Sequence, residues 1–167
     1  QTQACNTIVN INGILFGYNT DYDGFDFLIK FNHITISNKT IAIVGNGSTS
    51  RTIKLYCKNN DALNVLIFAR NPKLNELNLT DIHNYKEIDV LINATPVGMY
   101  PNNDKSLNID FKELLNCTTV IDLIYNPLRT QLLLDAQEHG KKAVNGLLML
   151  VHQAVKANEI FNNLSHK

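Results

Sequence analysis

The sequence predicts an α/β fold, a Rossmann-like doubly wound parallel sheet with helices on both faces. Short β-branched apolar runs alternate with segments of helical spacing through most of the chain, the pattern of a parallel sheet covered on both sides. The best-defined run, Thr40–Val44, stops abruptly at Gly45-Asn46-Gly47-Ser48 and leads into a helical segment. In 167 residues, 44% hydrophobic and 18% charged, there is apolar material for one core of ordinary size.

The elements follow in order. Thr7-Ile8-Val9-Asn10-Ile11 and Gly13-Ile14-Leu15-Phe16-Gly17 read as a hairpin with Asn12-Gly13 at its turn. Asn19-Thr20-Asp21 supplies capping residues for a helix running to about Phe31. These first segments stand apart from the later alternation and fit the tail of another domain. Strand Thr40–Val44, a helix over 49–59 burying Ile53, Leu55, Tyr56 and Cys57, and a strand over 64–68 make a βαβ unit. Further strands are predicted at 89–93 and 119–123, with helices near 110–115 and over 130–139. A short strand at 142–144 and a final helix from Leu147 to about Asn162 complete the chain, while 73–87 has no clear period and stays unassigned.

Charge and cysteine usage narrow the function classes. Fifteen basic residues balance fifteen acidic ones, so the formal net charge is zero. That argues against a nucleic-acid binder and against a polybasic membrane-surface protein. The longest strongly apolar stretch, 146–151, is far short of the roughly 20 residues a membrane span needs. Cys5, Cys57 and Cys117 are too few and too scattered for a disulfide framework, and a reducing, cytoplasmic compartment is expected. The histidines form no HExxH pattern and join no CxxC, so no metal site is expected.

The chemistry centres on the glycine turn. Gly45-Asn46-Gly47-Ser48-Thr49-Ser50 fits GxGxx(G/A) with serine last. Gly45 is needed for the tight strand-to-helix turn and Gly47 for backbone approach to a pyrophosphate. The amides and dipole of the following helix then hold the anion. A structural βα turn is the competing reading, and the strand before and helix after favour the dinucleotide. The second strand ends Phe68-Ala69-Arg70-Asn71-Pro72-Lys73, with no acid at its tip to accept from a ribose 2′-hydroxyl. Arg70 and Lys73 suit a 2′-phosphate instead, so NADP is expected over NAD; two solvated surface cations are the alternative.

Several strings then carry a resemblance. Asn6-Thr7, Gly17-Tyr18-Asn19-Thr20-Asp21 and Asn93-Ala94-Thr95-Pro96-Val97-Gly98-Met99 are similar to signature segments of the shikimate dehydrogenases. Tyr125-Asn126-Pro127-Leu128-Arg129-Thr130 and the run from Gly146 to Ala154 extend the match over nearly the whole chain. The resemblance implies a two-domain enzyme that reduces 3-dehydroshikimate to shikimate with NADPH, in aromatic amino acid biosynthesis. It makes Asp21 half of a catalytic acid–lysine pair that handles the proton at the substrate oxygen, where the bare residue reads as a helix N-cap. It further implies that Asn6, Asp21, Tyr125 and Gln153 bind substrate. Gly45, Asn46, Gly47, Ser48, Thr49, Ala69, Arg70, Asn71 and Lys73 would bind the cofactor, with Thr95, Val97, Leu123, Gly146 and Met149 lining the nicotinamide and its phosphates.

The departures set further expectations. Ser48 stands where the family has a glycine, and Ala69-Arg70-Asn71 replaces its usual Asn-Arg-Thr, which softens the NADP preference. The resemblance divides the chain into a remnant of an N-terminal substrate domain (1–22), an NADP-binding domain (23–145) and a helix returning to the substrate domain (146–167). It implies a truncated chain, because the family's substrate-clamping serines and catalytic lysine would precede Gln1. Such a chain is expected to bind NADP(H) yet turn over shikimate negligibly. Ile8, Leu15 and Leu150 are expected to be left exposed, so that the chain dimerises or has mobile ends. The shikimate dehydrogenase-like and quinate/shikimate branches remain open, as does a non-catalytic NADP-binding module. The same strings argue against a methylenetetrahydrofolate dehydrogenase.

Overall fold

The computed structural model describes residues 4–164 of the chain, with the side chain of Leu164 left out. It opens with a hairpin, β1 (Thr7–Ile11) and β2 (Ile14–Tyr18), paired antiparallel with Ile11 opposite Ile14. Both turn residues have positive φ, Asn12 at 51° and Gly13 at 87°, the mirror-image turn that matches strand twist. Helix α1 (Thr20–Phe31) follows, capped by Asn19, whose side chain accepts from the Asp21 amide. Asp21 is therefore not the N-cap, and its carboxylate instead accepts from Asn6.

The main sheet has six parallel strands in the order β5-β4-β3-β6-β7-β8. Their ranges are β3 (Thr40–Val44), β4 (Asn64–Ala69), β5 (Leu77–Asn78), β6 (Val90–Asn93), β7 (Thr119–Asp122) and β8 (Lys142–Asn145). Helices α2 (Ser48–Asn59), α3 (Gln131–Glu138) and α4 (Leu147–Leu164) complete the layers. β3 is buried along its whole length and its alternation feeds both faces: Ile41 and Ile43 pack with Phe25, Ile53 and Tyr56, whereas Ala42 and Val44 pack with Phe68, Leu114 and Leu132. The doubly wound prediction holds, with helices on both faces. None of the described helices is long and apolar enough to cross a membrane.

The segment 110–115 is not the predicted helix. The Asp110 side chain accepts from the Lys112 amide, Glu113 N–H bonds Asp110 O and Cys117 N–H bonds Leu114 O, which closes successive turns. An aspartate that offers the backbone a local partner competes with a helix too short to nucleate. Phe111 and Leu114 still reach the core, which produced the helical spacing. The unassigned 73–87 holds β5 and a 3₁₀ turn, Leu79–Asn84. Leu55 is half-buried rather than buried. Ile8 and Leu15 are exposed as expected, at 60% and 66%. Leu150 differs: it is half-buried and lines a cleft.

The sheet topology fixes where a ligand can sit. From β3 the chain winds out to β4 and β5, then returns to the other side of β3 as β6. The loops after β3 and β6 therefore diverge, opening a crevice at the carboxyl ends of the strands.

Candidate functional site at the sheet switch point

The register aligns Phe68, Val44, Asn93, Asp122 and Asn145 across the carboxyl edge, so the segments after them share one rim. Gly45 has φ +112°, and a Cβ there would lie 3.0 Å from Ala94 O and 3.0 Å from Thr95 Cγ2. Only glycine makes that turn beside that neighbour. Gly47, at the N-cap of α2, has nothing within 4 Å of a Cβ position, which leaves open space over the start of the helix. Ser50 is buried and its hydroxyl donates to Gly45 O at 2.5 Å, so the serine at the last motif position closes the turn. An open glycine, a helix N-terminus and a tight glycine turn together fit a dinucleotide phosphate.

Two adjoining clefts run along the rim. One, of about 270 Å³, is bounded by the glycine turn, by Ala69, Arg70 and Asn71, and by Thr95 and Val97. The other, of about 460 Å³, holds Asn6, Asp21, Thr49, Tyr125 and Gln153 over a floor that includes Leu123, Gly146 and Met149. Ala94, Thr95 and Pro96 line both. Of the residues the sequence singled out, two lie outside these clefts. Ser48 is exposed on the first turn of α2, and Lys73 lines a separate hollow with Arg51, Lys54 and Glu76.

At the polar end, Asn6 joins hairpin to helix. Its amide donates to Asp21 Oδ1 at 3.0 Å, and its carbonyl oxygen accepts from the Thr20 amide at 3.0 Å. The Thr20 hydroxyl lies 3.2 Å from both Asn6 Oδ1 and Gln153 Oε1, and its single proton serves one of them. Burial raises the Asp21 pKa above the usual carboxylate range, and the Asn6 hydrogen bond opposes that rise. A carboxyl group so poised can exchange a proton with a nearby oxygen, and the two side-chain amides are able to bind hydroxyls.

Beneath the rim lies a network built on Asp122 and Asn93, to which the sequence assigned no role. Asp122, fully buried, accepts from Asn93 Nδ2 at 3.0 Å, Ile124 N at 3.1 Å and the Thr130 hydroxyl at 2.5 Å. Asn93 in turn accepts from both the amide and the hydroxyl of Thr95, at 2.9 and 2.7 Å. Burial raises the Asp122 pKa against the pull of these donors. Polar residues ending two otherwise apolar strands were the available signal. Glu76 was missed too, because it lies well beyond the strand tip where a ribose-binding acid is sought.

No protein-family model matches the chain. It is 34% identical over 171 residues to the NADP+-dependent shikimate dehydrogenase of Clostridium perfringens, covering 96% of this chain and 63% of that protein. A chorismate mutase/shikimate 5-dehydrogenase fusion protein from Clostridium acetobutylicum superposes with a TM-score of 0.90 at 36% identity, covering 97% of this chain and 62% of that one. The shikimate 5-dehydrogenase of Thermus thermophilus, solved with NADP(H) and shikimate, superposes with a TM-score of 0.83 at 26% identity, covering 97% and 63%. The chain thus spans a little over three fifths of the length of these relatives.

Proposed function

Across nearly its whole length the chain is homologous to the shikimate dehydrogenase family, and from that premise we propose that it is the cofactor-binding part of an NADP-dependent oxidoreductase reducing 3-dehydroshikimate to shikimate. The observation that carries the reading is the pair of adjoining clefts. The glycine turn and Arg70 bound one, and Asn6, Asp21 and Gln153 converge in the other. A nucleotide module without chemistry has no use for that second, polar group.

In this reading the α2 N-terminus and Gly47 hold the pyrophosphate, and Arg70 holds the 2′-phosphate by forked, charge-assisted bonds. Thr95, Val97, Leu123, Gly146 and Met149 shape the wall against which the nicotinamide lies. The bound cofactor supplies a hydride to the carbonyl carbon. Asn6, Gln153 and Tyr125, which line the second cleft, bind and orient the substrate. Asp21, kept partly desolvated, handles the proton exchanged at the substrate's carbonyl oxygen. Residues 1–22 serve the substrate side and 23–145 chiefly the cofactor side, while 146–167 brings Gly146 and Met149 to the nicotinamide and Gln153 to the substrate. The exposed hairpin residues Ile8 and Leu15 favour self-association of the chain as a homodimer.

The deciding experiment follows shikimate-dependent NADPH formation by the protein. Asp21→Asn is expected to lower turnover about a hundredfold or more, with NADPH affinity within twofold. A parallel fall in both makes Asp21 structural and overturns its catalytic role.

A further inference from the structure

The stretch after β4 is tied down by a residue outside every motif. One carboxylate oxygen of Glu76 accepts from Asn46 Nδ2 at 2.8 Å and from the Lys73 amide at 2.7 Å. Asn46 belongs to the glycine turn, and the same Nδ2 lies 3.3 Å from Asn71 O. Glu76 immediately precedes β5, whose Leu77 and Asn78 pair with Phe68 and Ala69. The pairing that ends β4 therefore delivers an acid to the corner between the glycine turn and the 70–73 loop.

We propose that Glu76 is a cofactor-discriminating residue, a fixed carboxylate beside the 2′-phosphate position that weakens the preference for NADPH over NADH. The inference rests on the NADP reading above and deepens it. Arg70 and Asn71 line the cleft at the end of β4, and Asn46 lines both that cleft and the hollow holding Glu76. A 2′-phosphate held by Arg70 would thus lie in the cleft whose wall, Asn46, is hydrogen-bonded on its other side to an existing negative charge. The hollow also contains Arg51, Lys54 and Lys73, cations that would otherwise add to the phosphate's attraction. Desolvation pushes the Glu76 carboxyl up, but the hydrogen bonds from Asn46 and the Lys73 amide, joined by the charges of Lys73 and Lys54, hold it below its usual value. The carboxylate stays ionised at neutral pH and offsets part of their charge. A ribose 2′-hydroxyl suffers no such repulsion.

Glu76→Gln removes the charge and keeps an oxygen able to accept from both Asn46 and Lys73. Glu76→Asp keeps the charge. NADPH and NADH are titrated against the unmodified chain and both variants by fluorescence, with thermal melting to establish folding. Glu76→Gln is expected to tighten NADPH binding about three- to tenfold, the range of one screened charge at close approach, with NADH within twofold. Glu76→Asp is expected to leave NADPH no tighter than in the unmodified chain. Unchanged or weaker NADPH binding by folded Glu76→Gln overturns the inference, as does equal tightening by both variants. Failure of all three proteins to bind either dinucleotide overturns the cofactor reading itself, a result distinct from an unchanged preference.

Discussion

Gly146 approaches Leu123 so closely that a Cβ on it would lie 2.0 Å from the Leu123 carbonyl oxygen and 2.4 Å from its carbonyl carbon. The obstacle is backbone at the end of β7, not the tip of a movable side chain. Gly146→Ala must push β7 and the start of α4 apart, distorting the cleft floor. A loss of about 2–3 kcal/mol is expected, seen as a lower urea midpoint. An unchanged midpoint would show that the two segments separate freely.

Asp122 and Asn93 lock neighbouring strands beneath the rim. Asp122→Ala strands three buried donors and is expected to cost about 3 kcal/mol or more. Asp122→Asn keeps an oxygen for two of them and should cost less than half as much, measured by denaturant unfolding. Similar losses in both variants would contradict the account.

The same carboxyl group predicts a pH dependence. Its pKa in the fold stands above the ordinary value because burial disfavours the ionised form. Its contribution to stability is complete below the ordinary carboxylate range and is lost as the pH rises through the raised value. Relative to the unmodified chain, Asp122→Asn should therefore improve as pH rises through that window. A constant difference across it would mean that Asp122 does not titrate differently in the fold.

Asn6→Ala removes the hydrogen bond that favours ionised Asp21 and leaves the desolvation in place. The Asp21 pKa should move further up, read from its carboxyl-carbon NMR titration. A downward shift would mean that the lost side chain mainly admitted water.

Arg70→Gln should weaken NADPH binding at least about tenfold, or about 1.4 kcal/mol, with little change for NADH. Equal loss for both would assign Arg70 to the adenine or to the loop, and not to the 2′-phosphate.

The hairpin, the βαβ unit and the last helix were legible because their signals are local. Asn12-Gly13 sets its own turn, Gly45-Asn46-Gly47 interrupts a β-branched run, and α4 keeps a helical spacing. The segment 110–115 misled by the same logic: Phe111 and Leu114 show a helical interval, yet the Asp110 turn sets the backbone.

By itself, then, the sequence determined the class of fold and the glycine turn, and it supplied the side chains that line the two clefts. Tertiary structure decided which of them meet. Asn6 reaches Asp21 across 15 residues, Thr20 reaches Gln153 across 133, and Asn46 finds Glu76 across 30. Periodicity and turn chemistry act over a few residues, so one chain displays them directly. Hydrogen-bond partners at such separations exist only once the parallel register brings the strand ends to one edge, and no local pattern records that.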